Sequence, residues 1–332
     1  MKYKISREFF PFNHFTPPIS ERFLSISVPF MRVPRSIYRR GDVAVDRHFA
    51  RSHDGAQVEC LLISPRGAEG ALPCLIYIHG GGFVLPAAGY HYKNAIRYSR
   101  EVGCRVLFVN YRLAPAHPHP TFFEDCYAAM CYAYDNADVL GIDRSRIGIG
   151  GDSAGAALSV GVCLMARDRA HPIRFACQML PYPFLDARND SASARKYTDT
   201  PMWNSTLTGR IAPMTRADRD RPDYVYYSPL EAPSLADLPP AYIETAELDP
   251  LHDDGISYAA RLSALGIEVT LNETHGTMHG FDIVQSSKIT RAALERRIEF
   301  LRRYLSRADK PTGHARPMPT TPNGGYYDNR LL

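Results

Sequence analysis

The stretch Arg146-Ile147-Gly148-Ile149-Gly150-Gly151-Asp152-Ser153-Ala154-Gly155-Ala156-Ala157-Leu158-Ser159-Val160 decides the fold. Its opening is a short apolar run of the kind buried in a sheet, and its close reads as the start of a helix. Between them Gly151-Asp152-Ser153-Ala154-Gly155 interrupts both patterns, giving strand, sharp turn, helix. Small residues flanking Ser153 let the backbone turn tightly and push its Oγ out of the sheet into a cleft. A serine hydroxyl is a poor nucleophile until a base and oriented donors assist it. The remainder of the chain is read for those partners.

Strand-like runs recur at 58–63, 74–78, 105–111, 146–150, 175–180, 241–245 and 268–272, with helical stretches at 90–102, 122–136, 154–170 and 255–265. In the last helix Leu294, Ile298, Leu301 and Leu305 share one face. This alternation predicts an α/β fold, a mostly parallel sheet with helices on both faces. The expected core therefore runs over 46–185 and 225–309. Residues 1–45, with a weak amphipathic helix at 21–31, and the polar insertion 186–224 are expected to form a cap over a pocket. The Pro- and Gly-bearing tail, 310–332, is expected to be flexible.

Composition narrows the class. Apolar residues make up 45% and charged residues 22% of the 332, so a sizeable core is affordable. A net charge of +4, with basic residues scattered rather than striped, argues against nucleic acid. The seven cysteines are odd in number and lie mostly in apolar segments, as small core residues do. Neither a signal-peptide pattern nor a membrane-length apolar run is evident. A reduced, soluble, cytoplasmic protein is the expectation.

Acyl transfer needs donors for a developing oxyanion, a base, and an acid that holds the base. The run Ile76-Tyr77-Ile78-His79-Gly80-Gly81-Gly82-Phe83 ends a strand in consecutive glycines, which leave backbone N–H groups uncovered. Gly81, Gly82 and Ala154 are the expected oxyanion donors. It lacks the spacing and following lysine of a phosphate cradle. For the base, His275 and His279 compete after the last strand; Gly280 gives the second an adaptable loop and favours it. For the acid, Glu247, Asp249, Asp253 and Asp254 compete. Asp253 and Asp254 suit helix capping, whereas Asp249 lies just past a strand, its backbone restricted by Pro250. Ser153, Asp249 and His279 then follow in the α/β-hydrolase order.

His79-Gly80-Gly81-Gly82-Phe83, Tyr111-Arg112-Leu113-Ala114-Pro115, the Ser153 pentapeptide, Asp249-Pro250-Leu251-His252-Asp253-Asp254 and His279-Gly280-Phe281 together resemble the hormone-sensitive-lipase-like branch of the α/β-hydrolases. The resemblance implies an eight-stranded sheet with a helical cap, a Ser153–Asp249–His279 triad, the same oxyanion donors, and no cofactor. It also implies hydrolysis of small-molecule carboxylic esters with short, acetyl-like acyl groups. Two positions depart from it: Ala116 stands where the family usually has Glu, and Ala156 where it usually has Gly. The bulky Phe83 and Trp203 are expected near the substrate. A homodimer is left open.

Two other classes compete. A ligand-binding receptor on the same fold would have lost the base, which this chain retains. A metallohydrolase would need ligands such as His117 with His119, His252 with Asp249 and Asp253, or His275 with His279, none of which falls in a known zinc pattern.

Overall fold

The computed structural model of the protein describes residues 2–28 and 42–306. The expected flexible tail, and residues 29–31 at the end of the expected N-terminal helix, lie outside the described residues; the helix itself spans Glu21–Ser27.

Among the described residues eight strands form one sheet: β1 (Val43–Arg51), β2 (Gln57–Pro65), β3 (Leu72–Ile78), β4 (Arg105–Asn110), β5 (Ile142–Gly151), β6 (Gln178–Pro181), β7 (Ala241–Leu248) and β8 (Val269–Met278). Their spatial order is β1-β2-β4-β3-β5-β6-β7-β8. The β1–β2 and β2–β4 pairs are antiparallel and every other pair is parallel. The strand that sequence reading misses is β1. As an edge strand with an exposed Phe49 and only Val43 and Ala50 buried, it offers neither an apolar run nor a clean alternation.

The period of two along the central strands sorts their side chains onto two faces. Cys74, Ile76, Ile78, Leu107 and Val109 join one apolar cluster with the helices Thr121–Asp135, Ala154–Asp168 and His252–Ala264. Leu75, Tyr77, Val106 and Phe108 join a second with Gly89–Tyr98 and Lys288–Leu305. On the last helix Leu294, Ile298, Leu301 and Leu305 are all buried, as their spacing predicts. Both faces are thus covered, so the strands can be apolar throughout.

The long connection between β6 and β7 carries the short helices Ala192–Lys196, Ser205–Thr215 and Tyr224–Tyr227. It meets the N-terminal segment: the Met202 N–H donates to the Phe15 carbonyl at 2.6 Å, and the rings of Tyr3 and Tyr197 lie 5.9 Å apart. The N-terminal segment also reaches β8, where the Ser6 N–H donates to the Gly276 carbonyl at 2.8 Å. Because β3, β5, β7 and β8 run the same way, the residues just past their carboxyl ends gather at one edge of the sheet. Those residues are Gly80–Gly82, Ser153, Asp249 and His279.

Candidate active site

Ser153 sits between the end of β5 and the helix Ala154–Asp168, with φ 57° and ψ −120°. That left-handed backbone is strained for a residue bearing a Cβ, and it persists because the surroundings leave no alternative. Gly151 and Gly155 supply the room. A Cβ on either would come within 2.0 and 2.1 Å, respectively, of the Ile78 carbonyl oxygen at the end of β3. Ala156 is fully buried within the helix and its N–H donates to the Ser153 carbonyl at 3.0 Å, so this departure from the family is accommodated. Ala116, the other departure, is exposed.

The Ser153 Oγ lies 2.8 Å from Nε2 of His279, and Nδ1 of that ring lies 2.7 Å from Oδ2 of Asp249. An ionised carboxylate only accepts, so Nδ1 carries the imidazole proton and Nε2 is free to accept from the serine hydroxyl. The other oxygen of Asp249 accepts from the Leu251 N–H at 2.9 Å, and the residue is wholly buried. Ser153 and His279 keep 7% and 6% exposure, so the reactive end of the line opens to the outside while its acid end does not.

The glycine run lies beside this line. Gly81 (φ 118°) and Gly82 (φ 61°) adopt backbones that disfavour side chains. A Cβ on Gly81 would sit 2.7 Å from the Leu85 carbonyl, and one on Gly82 would sit 2.6 Å from the Trp203 ring. Among the described residues, the N–H groups of Gly81, Gly82 and Ala154 donate to no protein acceptor. Ala154 N–H also opens a helix, where the dipole favours negative charge.

A buried polar shelf holds these loops, and only folding reveals it. Asp152 accepts from the Tyr77 hydroxyl at 2.8 Å and from Tyr90 at 3.4 Å, and lies 3.0 Å from Nε2 of His91. The Ala88 N–H donates to Nδ1 of His91 at 2.8 Å, so the proton of that ring is on Nε2, facing Asp152. Burial alone would push the Asp152 carboxyl up, but His91 and Tyr77 outweigh it and hold it well below the usual range. His79 directs Nδ1 at the Gly80 carbonyl, 2.7 Å away, and stacks on Tyr111 at 4.4 Å. Burial first, and His91 second, depress its pKa to about 3, so it is neutral. Of this shelf, Tyr77, His79, Tyr111 and Asp152 stand in motifs quoted from the sequence, without a role as a shelf, and nothing in the spacing of Tyr90 and His91 points to it.

The competing candidates fall elsewhere. Strand β8 runs on past the expected end through His275, whose side chain is 67% exposed and 3.7 Å from Glu247. Asp253 and Asp254 lie in the first turn of their helix, but the capping role expected of them is not what they do. Asp253 accepts from the Ser193 N–H at 2.8 Å, and Asp254 from the Leu185 and Asp186 N–H groups at 3.0 and 3.1 Å. They pin the β6–β7 connection instead. Burial raises the Asp254 carboxyl well above the ordinary range.

Phe83 is a correction. Expected at the substrate, its ring is 1% exposed and stacks on Phe122 at 5.0 Å within the core, because its φ of 65° turns it inward beneath the glycines. The Trp203 ring lies 6.0 Å from that of His279, and its Nε1 donates to Thr208 at 3.0 Å. His119 is buried against Phe122 and Tyr227, and His252 pairs with Asp253 and Glu273. Among the described residues no group of three or more His, Cys, Asp or Glu could hold a metal ion. No helix among them is long and apolar enough to cross a membrane. The seven cysteines are free thiols, and all but Cys131 are buried.

Residues 75–283 match a family described as having the alpha/beta hydrolase fold. The carboxylesterase NlhH of Mycobacterium tuberculosis is 37% identical over 213 residues, 63% of this chain and 66% of that protein. The chain thus spans just under two thirds of the length of that relative. An arylesterase of Saccharolobus solfataricus is 32% identical over 207 residues, 62% of this chain and 67% of its own. Among solved structures, a bacterial heroin esterase superposes with a TM-score of 0.83 at 31% identity, covering 92% of this chain and 99% of the other.

Proposed function

Because the chain belongs to the α/β-hydrolases, in their hormone-sensitive-lipase-like branch, we propose that it is a serine carboxylesterase acting on small-molecule esters with short acyl groups. The observation that carries this reading is the unbroken line from Ser153 through His279 to Asp249, with contacts of 2.8 and 2.7 Å.

His279 takes the hydroxyl proton on Nε2 as the Ser153 Oγ attacks the ester carbonyl. Asp249 accepts from Nδ1–H and stabilises the imidazolium that results. The carbonyl oxygen gains negative charge in the tetrahedral intermediate, where the N–H groups of Gly81, Gly82 and Ala154 receive it. Collapse breaks the bond to the alcohol oxygen, which leaves with the proton from His279. Water then enters, gives a proton to His279, and cleaves the acyl-serine by the same steps in reverse order. The short-acyl preference is supported by Trp203, whose ring packs directly over Gly82.

A p-nitrophenyl ester series from acetate to decanoate tests the reading. Ser153→Ala and His279→Ala are each expected to lower kcat by about a thousandfold or more, and His275→Ala to cost far less. Equal losses at the two histidines, or turnover that survives Ser153→Ala and a serine-directed organophosphate, would defeat it.

A further inference from the structure

Behind the histidine lies a set of buried groups that the acyl-transfer scheme does not use. Arg297, on the helix Lys288–Leu305, has no exposure, yet its guanidinium is split between two carboxylates. One is Glu244 at 2.5 Å and the other Asp282 at 2.7 Å. Glu244 lies on β7, the strand that delivers Asp249. Asp282 lies in the turn Phe281–Ile283, directly after His279 and Gly280. A single cation therefore ties the strand carrying the acid to the turn carrying the base.

Tyr182 closes the arrangement. Its hydroxyl donates to the other oxygen of Asp282 at 2.5 Å, and its backbone N–H donates to the Glu244 carbonyl at 2.5 Å. Its ring meets the His279 imidazole edge-on, with centroids 4.9 Å apart at 67°. It achieves this with φ 35°, a backbone that a bulky residue adopts only under compulsion. The remaining acceptors are also served: Asn94 reaches Asp282 at 3.3 Å, and Tyr242 and Asn272 reach Glu244 at 2.7 and 3.1 Å.

Burying two carboxylates around one guanidinium is a poor route to stability, since apolar replacements of similar volume often do as well or better. A fixed geometry is what the arrangement supplies. His279 must face Ser153 and Asp249 at once, and it stands between the last residue of β8 and a short turn entered through a glycine with φ 66°. Misplacement by even about 1 Å is expensive in rate.

Building on the esterase reading, we propose that Tyr182, Asp282 and Arg297 are positioning residues that hold the His279 imidazole in line between Ser153 and Asp249. They touch no reacting atom. Their effect reaches the chemistry through the orientation of one ring.

The test uses the full chain and p-nitrophenyl acetate, with competent sites counted by burst titration with diethyl p-nitrophenyl phosphate. Tyr182→Phe keeps the ring edge against His279 and removes only the hydroxyl. It is expected to lower kcat per titrated site roughly ten- to a hundredfold with KM within about twofold. Asp282→Asn should lose a similar factor, and the double variant no more than the worse single, because the two act through one bond. A purely structural brace would lower the melting temperature and the number of titratable sites, while each remaining site turned over normally. Hence kcat per titrated site within about twofold of wild type in both variants overturns the proposal, whatever happens to stability. Wild-type protein that releases no p-nitrophenol from any ester overturns the esterase reading and this proposal with it.

Discussion

His79 shows how one residue can serve a site without taking part in its chemistry. Its ring is enclosed by Tyr111, Phe108 and His91, and it donates to the carbonyl of Gly80, at the head of the glycine run. Enclosure keeps it neutral, with a folded pKa of about 3. An unfolded histidine titrates near about 6.5, so between these values the unfolded chain binds a proton that the folded one refuses. Stability therefore falls as pH drops from about 6.5 towards 3, and the full contribution is present only above that window. At its limit, below pH 3, the loss is on the order of 5 kcal/mol. Thermal melts at pH 7 and pH 4.5 should show a marked drop for wild type and a smaller one for His79→Asn; equal drops would refute the assignment. That His79 precedes three glycines was legible in the sequence. That it is neutral was not, because neutrality depends on what encloses it.

Among the elements, the join of β5 to its helix does the most. Its glycines are needed less for flexibility than for clearance, since the start of the helix passes within touching distance of the end of β3. Gly155→Ala would place a methyl 2.1 Å from the Ile78 carbonyl, backbone against backbone, where no rotamer change relieves it. The expected cost is about 3 kcal/mol or more, with loss of turnover as Ser153 is displaced. Denaturant unfolding checks it, and a variant of wild-type stability would show that the turn can yield. The strand and helix on either side were readable because apolar periodicity is local. Other boundaries were less so: β8 extends through His275 because its ladder with β7 continues past a register shift between Ala246 and Leu248. Only the pairing partner could reveal that continuation.

Across the whole molecule, the site is completed where the β6–β7 connection folds back over the sheet. Trp203 arrives from that connection and packs its ring against Gly82, its indole anchored on Thr208. Trp203→Ala should open the niche, so that the preferred p-nitrophenyl ester lengthens by at least about two carbons while the melting temperature falls, a buried Trp to Ala change costing about 3–5 kcal/mol. An unchanged chain-length profile would remove Trp203 from the substrate wall. The N-terminal segment is part of the same assembly, for Phe9 is fully buried and meets Phe281, two residues past His279, at 6.0 Å.

The sequence by itself determined the alternation of strands and helices, the serine on its sharp turn, the glycines past β3 and the order of the three polar residues. Each is written in a few neighbouring residues, where sterics and hydrophobic period act over short distances along the chain. Tertiary structure alone decided that Asp253 and Asp254 anchor the connection and that Phe83 turns into the core. It alone brought Arg297 between Glu244 and Asp282. Those outcomes depend on which distant segments meet and on how fully they exclude water, and neither is encoded at any one position in the chain.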